Sequence, residues 1–513
     1  MSLAVTPNVD AKKHSASVTI VHFAFFDVGD QAGSLANERL KELATAQASS
    51  ISYAYDVSSG VIHTRPTATD SYQDPNLLKI YRDEMYRRRI AAFARTQRFG
   101  QMYQLEPIPL MGLSKGNVDI LAATEKIIAL PIVSVTNLGV ACIQFWLQLP
   151  KRWYVTDLVP DIIPFNDPAQ LVVSSVDYEL TLKNTRWSLH RHNISVLDIM
   201  CFVATQLLCE LGAIRVSEYV RRNDAINWQE VLRKASHQSS DKDFDLPHLE
   251  YIETYPLFHL DFRGNEQPVT RDELSSVLQT NPREFRALIT GDNNWRVKKQ
   301  DMVNDSLNRA ACSTRDSILW YVAPQGSVKA YCEDLETNHH TSMVLASFEI
   351  ELLLCMRYFL EKINYSLNEV TFERTSPQLL ARIHRENIER LDSFFSLATC
   401  IKDTTARRLE RLKDAFGITQ LSNTTADKIN ALSELVSAYH DERTQQYQTI
   451  LTVLFGVFGV GQITSSLFIW YYSASNTPTR GLVIKGISTT LLSMAVIGCL
   501  IYLIGQIGRS KRK

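Results

Sequence analysis

The sequence predicts an α+β body, a long helical stalk behind it, and a two-helix transmembrane hairpin near the C-terminal end. Three observations predict this arrangement. Residues 450–472 carry no charge and residues 482–507 carry one, Lys485; each stretch is long enough to cross a hydrocarbon core of about 30 Å. The six charged residues from 451 onward are all basic, which leaves 48 basic against 55 acidic residues before them, a net −7. Nothing from Ala426 to Tyr472 breaks a helical pattern except glycines that a membrane helix tolerates.

Composition bounds the rest. With 513 residues, 45% hydrophobic and 21% charged, the chain has room for about three structural units. It is neither disordered nor collagen-like in composition. The overall net charge of −1 excludes a globally basic nucleic-acid binder. Eight scattered cysteines with no Cys-x-x-Cys pair give neither a zinc site nor a disulfide framework. Residues 1–10 lack a basic segment followed by an apolar one, so no secretory signal is expected and the body is expected in the cytosol. Basic residues at 509–513 outnumber Arg480 and Lys485 at the hairpin turn. This bias predicts a multi-pass protein of the inner (cytoplasmic) membrane with both termini inside.

The body is expected to mix strands and helices over residues 1–240. A strand is predicted at 17–26, an amphipathic helix at 35–46, and a hairpin over 51–64 around Ser58-Ser59-Gly60. Residues 76–98 read as a basic helix and 118–129 as another helix. Residues 132–149 read as strands broken at Asn137-Leu138-Gly139, and 171–182 as a further strand. A long apolar-faced helix is expected at 196–220. Polar, irregular sequence over 236–265 is expected to lead into a helical subdomain at 241–375, dominated by a helix at 342–363 that is too charged to span a membrane.

The stalk is expected over 376–448. Pro377 suits the first turn of a helix capped by Ser376 and ended by Gly417, and Thr424 or Thr425 can cap the next helix. That second helix enters the transmembrane domain at 449–508, which a basic tail at 509–513 follows. On a helical wheel, Asp427, Glu434, Asp441, Gln445, Gln448, Thr452, Gly456, Gly459, Ile463 and Ser466 share one stripe. The stripe has two readings: solvated surface with glycines for close helix packing, or the lining of a pore around an axis shared by several copies. The second predicts carboxylate rings that gather cations.

The paired helices, the very long helix running into a first span, the short outer turn, the second span and the basic tail together resemble the CorA/ZntB group of metal-ion transporters. The resemblance is best over residues 377–513. It implies a pentamer, with a tetramer as the other possible ring, whose first span lines the pore. The family closes that span with Gly-Met-Asn; in Tyr471-Tyr472-Ser473-Ala474-Ser475-Asn476 only Asn476, in the outer loop, matches.

The basic helix supplies the ligand-site candidates: Arg82, Tyr86, Arg87, Arg88, Arg89, Arg95 and Arg98, with interleaved aromatics. Guanidinium forks suit phosphates and rings suit bases, so a nucleotide or oligonucleotide is the implied ligand. The alternative is a solvated helix face with salt bridges. Gly112-Leu113-Ser114-Lys115-Gly116 matches the serine-hydrolase elbow pattern, but a plain turn or a helix start fits it better. Arg186 to His192 reads as strand-edge and helix-cap chemistry, Asp241 to Asp245 as an acidic loop, and His339-His340 lacks partners at metal-ligand spacing. No cofactor motif and no catalytic set emerges, so an enzyme is not expected. The sequence therefore predicts a homo-oligomeric membrane cation channel or transporter in a lipid bilayer, gated by a ligand-sensing body; the resemblance to divergent members of the CorA/ZntB group implies a nucleotide- or oligonucleotide-controlled effector of bacterial antiviral defence. The alternative is a binding or sensor module that the hairpin only anchors.

Overall fold

The structure is a computed structural model. It describes residues 15–29, 32–45, 50–56, 59–64, 77–87, 100–116, 118–136, 138–154, 163–183, 185–217, 220, 226–237, 249–263, 269–291, 298–312, 318–332, 339–369, 403–473, 481, 483–488, 490–492 and 495. In chain order the elements are β1 (Ser15–Asp27), α1 (Ala32–Thr45), β2 (Ile51–Asp56), β3 (Val61–Thr64), α2 (Leu77–Arg87), β4 (Gln101–Leu105), β5 (Ile108–Lys115), β6 (Val118–Val135), β7 (Val140–Tyr154), β8 (Leu171–Leu182) and β9 (Thr185–Ser195). There follow α3 (Val196–Leu211), β10 (Ile214–Arg215), α4 (Trp228–Arg233), β11 (Ser236–His237), β12 (Glu253–Asp261), α5 (Arg271–Thr280), α6 (Pro282–Thr290), α7 (Gln300–Ala310), β13 (Ile318–Ala323), β14 (Gly326–Tyr331), α8 (His339–Glu369), α9 (Asp403–Ala415) and α10 (Ile418–Ser473). The chain divides into two compact units, Met1–Arg374 with Glu386–Lys428, and Thr375–Arg385 with Ile429–Lys513.

Twelve of the described strands of the first unit form one sheet, in the order β13-β14-β12-β1-β7-β6-β4-β2-β3, with β5, β8 and β9 branching from β6. Its pairs are antiparallel except β12 with β14. Strand β1 is buried on both faces, which explains its near-continuous apolar run. Alternation sends Ala16, Val18, Ile20, Ala24 and Phe26 to one face, where they join the core formed with α1, α3, α6 and α7. Val21, Phe23 and Phe25 point to the opposite face, against which α8 and α2 pack.

Local chemistry sets the helix ends. Ser195 caps α3 by accepting from Asp198 N at 3.1 Å, and Gly212 ends it with φ +76°. The helix expected at 196–220 therefore stops at Leu211. Thr270 and Glu273 form a capping box before α5, with Thr270 N donating to Glu273 Oε2 at 2.9 Å. Gly417, at φ +68°, closes α9. Helix α10 begins at once at Ile418, so Thr425 is an interior residue whose hydroxyl donates to Leu421 O at 2.8 Å, not a cap.

Several expectations are corrected. Residues 118–129 are not a helix but the first part of β6, which pairs with β5 through this stretch and with β7 and β4 further on. Residues 253–261, expected within irregular sequence, are a central strand. Strands β12, β13 and β14 thereby join the same sheet as β1 to β9. The transmembrane hairpin and the CorA-like architecture are overturned: among the described residues no helix is long and apolar enough to cross a membrane. Absence of charge is not apolarity, and α10 sets Thr452, Gln462, Thr464 and Ser466 among its apolar residues. Of 482–507, only 483–488, 490–492 and 495 are described. The membrane, transmembrane-helix and ion-channel description and the multi-pass inner-membrane location fall with the spans that carried them.

Helix α8 meets the sheet through a seam of buried polar groups. Lys362 Nζ lies 2.8 Å from Asp27 Oδ1, both side chains almost fully buried. Asp27 also accepts from Gly29 N at 3.0 Å and Leu249 N at 3.2 Å. Arg357 pairs with Glu253 at 3.4 Å and Glu361 at 3.0 Å, and Glu349 pairs with Arg408 of α9. Replacing Lys362 with Met leaves a buried, uncompensated carboxylate. We expect Lys362→Met to lower unfolding free energy by about 3–5 kcal/mol in urea titrations.

Candidate functional site

Where the sheet runs out beyond the first turns of α8, its face opens into a cavity of about 530 Å³. Strand register explains its floor. Thr19 of β1 sits between His259 of β12 and Gln148 of β7, and Gln148 in turn faces Ile128 of β6. One step inward, Trp146 faces Leu130 across the β7–β6 pair. One step outward, Ser17 pairs with Asp261, and Lys126 lies two residues beyond Ile128 on the same face of β6. The floor thus grades from an apolar inner row to a polar middle row to a charged outer row. Leu77 of α2, Pro107, and His340 and Met343 of α8 complete the lining.

The lining side chains are held from behind. Trp146 donates from Nε1 to Gln144 Oε1 at 3.0 Å, and its ring stacks on His259 at 6.1 Å between centroids. His259 Nδ1 is 2.8 Å from the Tyr331 hydroxyl. Lys329 donates to Ser342 O at 2.9 Å and Oγ at 3.0 Å, with its ammonium 4.8 Å from the Trp320 ring. Asp261 is gripped in a fork by Arg263, Nε to Oδ1 and Nη2 to Oδ2 both at 2.9 Å. Burial, with the Arg263 charge adding to it, holds the His340 imidazole below its ordinary value. Under α8, Glu351 accepts from Ser134 and from Gln144, the residue that orients Trp146.

The sequence candidates fall elsewhere. Among the described residues Arg82, on α2, reaches its neighbour Asp83, at 2.9 Å. Tyr86 and Arg87 belong to α2 by backbone alone, and Arg88, Arg89, Arg95, Arg98 and Asn476 lie outside the described residues. The stripe residues Asp427, Glu434, Asp441, Gln445, Gln448, Thr452, Gly456, Ile463 and Ser466 are exposed along α10, and Gly459 is half-buried. Among the described residues a Cβ at Gly456 or Gly459 would meet nothing within 4 Å, so these glycines pack against no described neighbour. With no membrane span to place it, the pore-lining assignment loses its basis. Gly112 is at neither a turn nor a helix start: it sits in β5 at φ +62°, where a Cβ would lie 2.7 Å from Ala123 Cα. Ser114 donates to Val172 O at 3.4 Å. Arg191, in edge strand β9, donates to Ile226 O at 3.0 Å, and the α3 cap is Ser195, outside the 186–192 segment.

Sequence reasoning passed over Trp146, Gln148, His259, Asp261, Lys126, Ser17 and Thr19. A signal existed in β7, where Gln144, Trp146 and Gln148 recur at period two within an apolar run. Comparison with protein-family models, curated proteins and solved structures finds no match to this chain.

Two buried carboxyls, Glu351 on α8 and Glu253 on β12, make stability depend on pH. Burial pushes Glu351 up to about 7 against the bonds from Ser134 and Gln144. Burial does the same to Glu253, also to about 7, opposed by Arg357 and reinforced by Glu361. A raised carboxyl favours the fold while protonated, so this contribution is complete below the ordinary value of 4.5 and is lost as pH rises through about 7. For Glu351 the loss is on the order of 3 kcal/mol. Urea midpoints of Glu351→Gln should therefore fall less than those of the parent between about pH 5 and pH 8.

Proposed function

We propose that the chain is a ligand receptor whose site is the cavity at the start of α8. The observation that supports this most directly is the cavity itself. Its volume of about 530 Å³ lies within the range of small-molecule sites. It combines an aromatic and aliphatic inner end with a few convergent polar groups, the composition that such sites use to bury a ligand and fix its orientation. These groups stand on rigid strands, not on loop tips, which favours recognition by a preorganised surface.

The same groups link the cavity to α8. His259 touches both Trp146 and Tyr331, and Lys329, close to the Tyr331 ring, holds Ser342 in the first turn of the helix. A ligand seated on Trp146 would press on the contacts that position α8, which makes binding a signal and not only an association. This cavity supports the sensing role read from the sequence; α2 contributes Leu77 to it, and Arg82 does not line it.

Filling the cavity tests the reading. Met343→Trp should abolish binding of small molecules that copurify with the chain, as read by native mass spectrometry, while unfolding remains cooperative. In the parent, the bound molecule should slow hydrogen exchange in the first turns of α8. Ligand retained unchanged by Met343→Trp places the binding site elsewhere.

A further inference from the structure

The cavity's outer row identifies the class of ligand, an inference that rests on the receptor reading above. Asp261 is the one carboxylate among the lining residues, and both its oxygens are already held by Arg263. Arg152 lies along the same edge, donating to Ser15 O at 2.8 Å and Asp261 O at 3.4 Å. At the other end of the row Lys126 is exposed and has no carboxylate partner among the described residues. Lys126 is thus a lining cation with no carboxylate beside it among the described residues, at the end of the row away from Asp261. The inner row is opposite in character: Trp146 and Leu130 form an apolar platform beneath Met343 and Leu77.

We propose that the site takes an amphipathic anion: an aromatic or heteroaromatic ring carrying a phosphate or a carboxylate, seated ring-first. The ring lies over Trp146 and Leu130, where burial of apolar area supplies affinity. Its polar edge meets Thr19 and Gln148 in the middle row. The anion stops at the outer row and pairs with Lys126, where a charge-assisted contact adds affinity and fixes orientation. A cationic ligand would set its charge against the unmatched lysine, and a wholly apolar one would leave the outer row without a partner.

Four compounds on one ring test this by calorimetry with the full chain: naphthyl phosphate, naphthol, naphthylacetate and naphthylacetamide. At least one anion should bind about tenfold more tightly than its neutral counterpart, and its affinity should weaken as salt rises. The better of the two anions distinguishes a phosphate site from a carboxylate site. Lys126→Glu should weaken the anion about tenfold or more and leave the neutral compounds within about twofold. Equal binding of anion and neutral compound, indifference to Lys126→Glu, or no binding below about 1 mM would each overturn the proposal. The receptor reading fails separately: it falls if Met343→Trp leaves the binding of these compounds unchanged, whatever their charge.

Discussion

The fold of the first unit depends on how a long helix is held on a sheet face that is only partly apolar. Helix α8 brings Ser342, Glu349, Glu351, Arg357, Glu361, Lys362 and Asn364 down with it, and each finds a partner. Burying Lys362 costs desolvation that its pairing with Asp27 offsets, and Asp27 is itself fixed by two backbone amides. Sliding the helix by one turn would leave several of these groups buried and unmatched. The seam therefore specifies a single register where an oily face would tolerate several. One end of that register puts His340 and Met343 over the open sheet. The other puts Asn364 against Thr425, and Asn368 2.8 Å from Lys428, at the start of α10.

The strands most legible in the sequence are those whose local pattern agrees with their final surroundings. The β1 run, the 51–64 hairpin and the break at Asn137–Gly139 all appear where pattern and turn chemistry place them. Residues 118–129 fail for a physical reason. Ala122, Ala123, Glu125 and Lys126 are residues that helices favour, and pairing with β5 overrides them. Strand β12 was hidden by a polar approach and by Pro256, whose missing N–H argues against a central strand. The C-terminal segments depart from expectation because a run without charges need not be apolar enough to span a membrane. In the described part of α10, amides, hydroxyls and glycines interrupt that run.

The cavity was less legible than the fold, since it exists only through register. Thr19, Gln148, His259 and Ile128 are ordinary strand residues far apart in the chain, and cross-strand pairing alone sets them in one row. The misreading of β6 compounded this. On a helix, Ile128 would point away from Lys126 and Leu130; on a strand all three share a face. His340 was set aside for want of ligand partners nearby in sequence, yet its neighbours here are Asp261 and Arg263, reached through space. The arginine-rich helix was conspicuous because its residues are contiguous, and contiguity is what a sequence displays best.

Strand β6 has a mechanical consequence. Over its 18 residues it changes partners on one edge, from β5 to β4, while holding β7 along part of the other. The branch carrying β8 and β9, with α3 packed on it, is thus stitched to the cavity floor by one continuous backbone with no flexible joint between. Force applied to either part is carried in plane by the other, as along a beam shared by two bays of a building. Such a scaffold resists hinge bending across the sheet, so motion is confined to what rests on its surface, with α8 foremost.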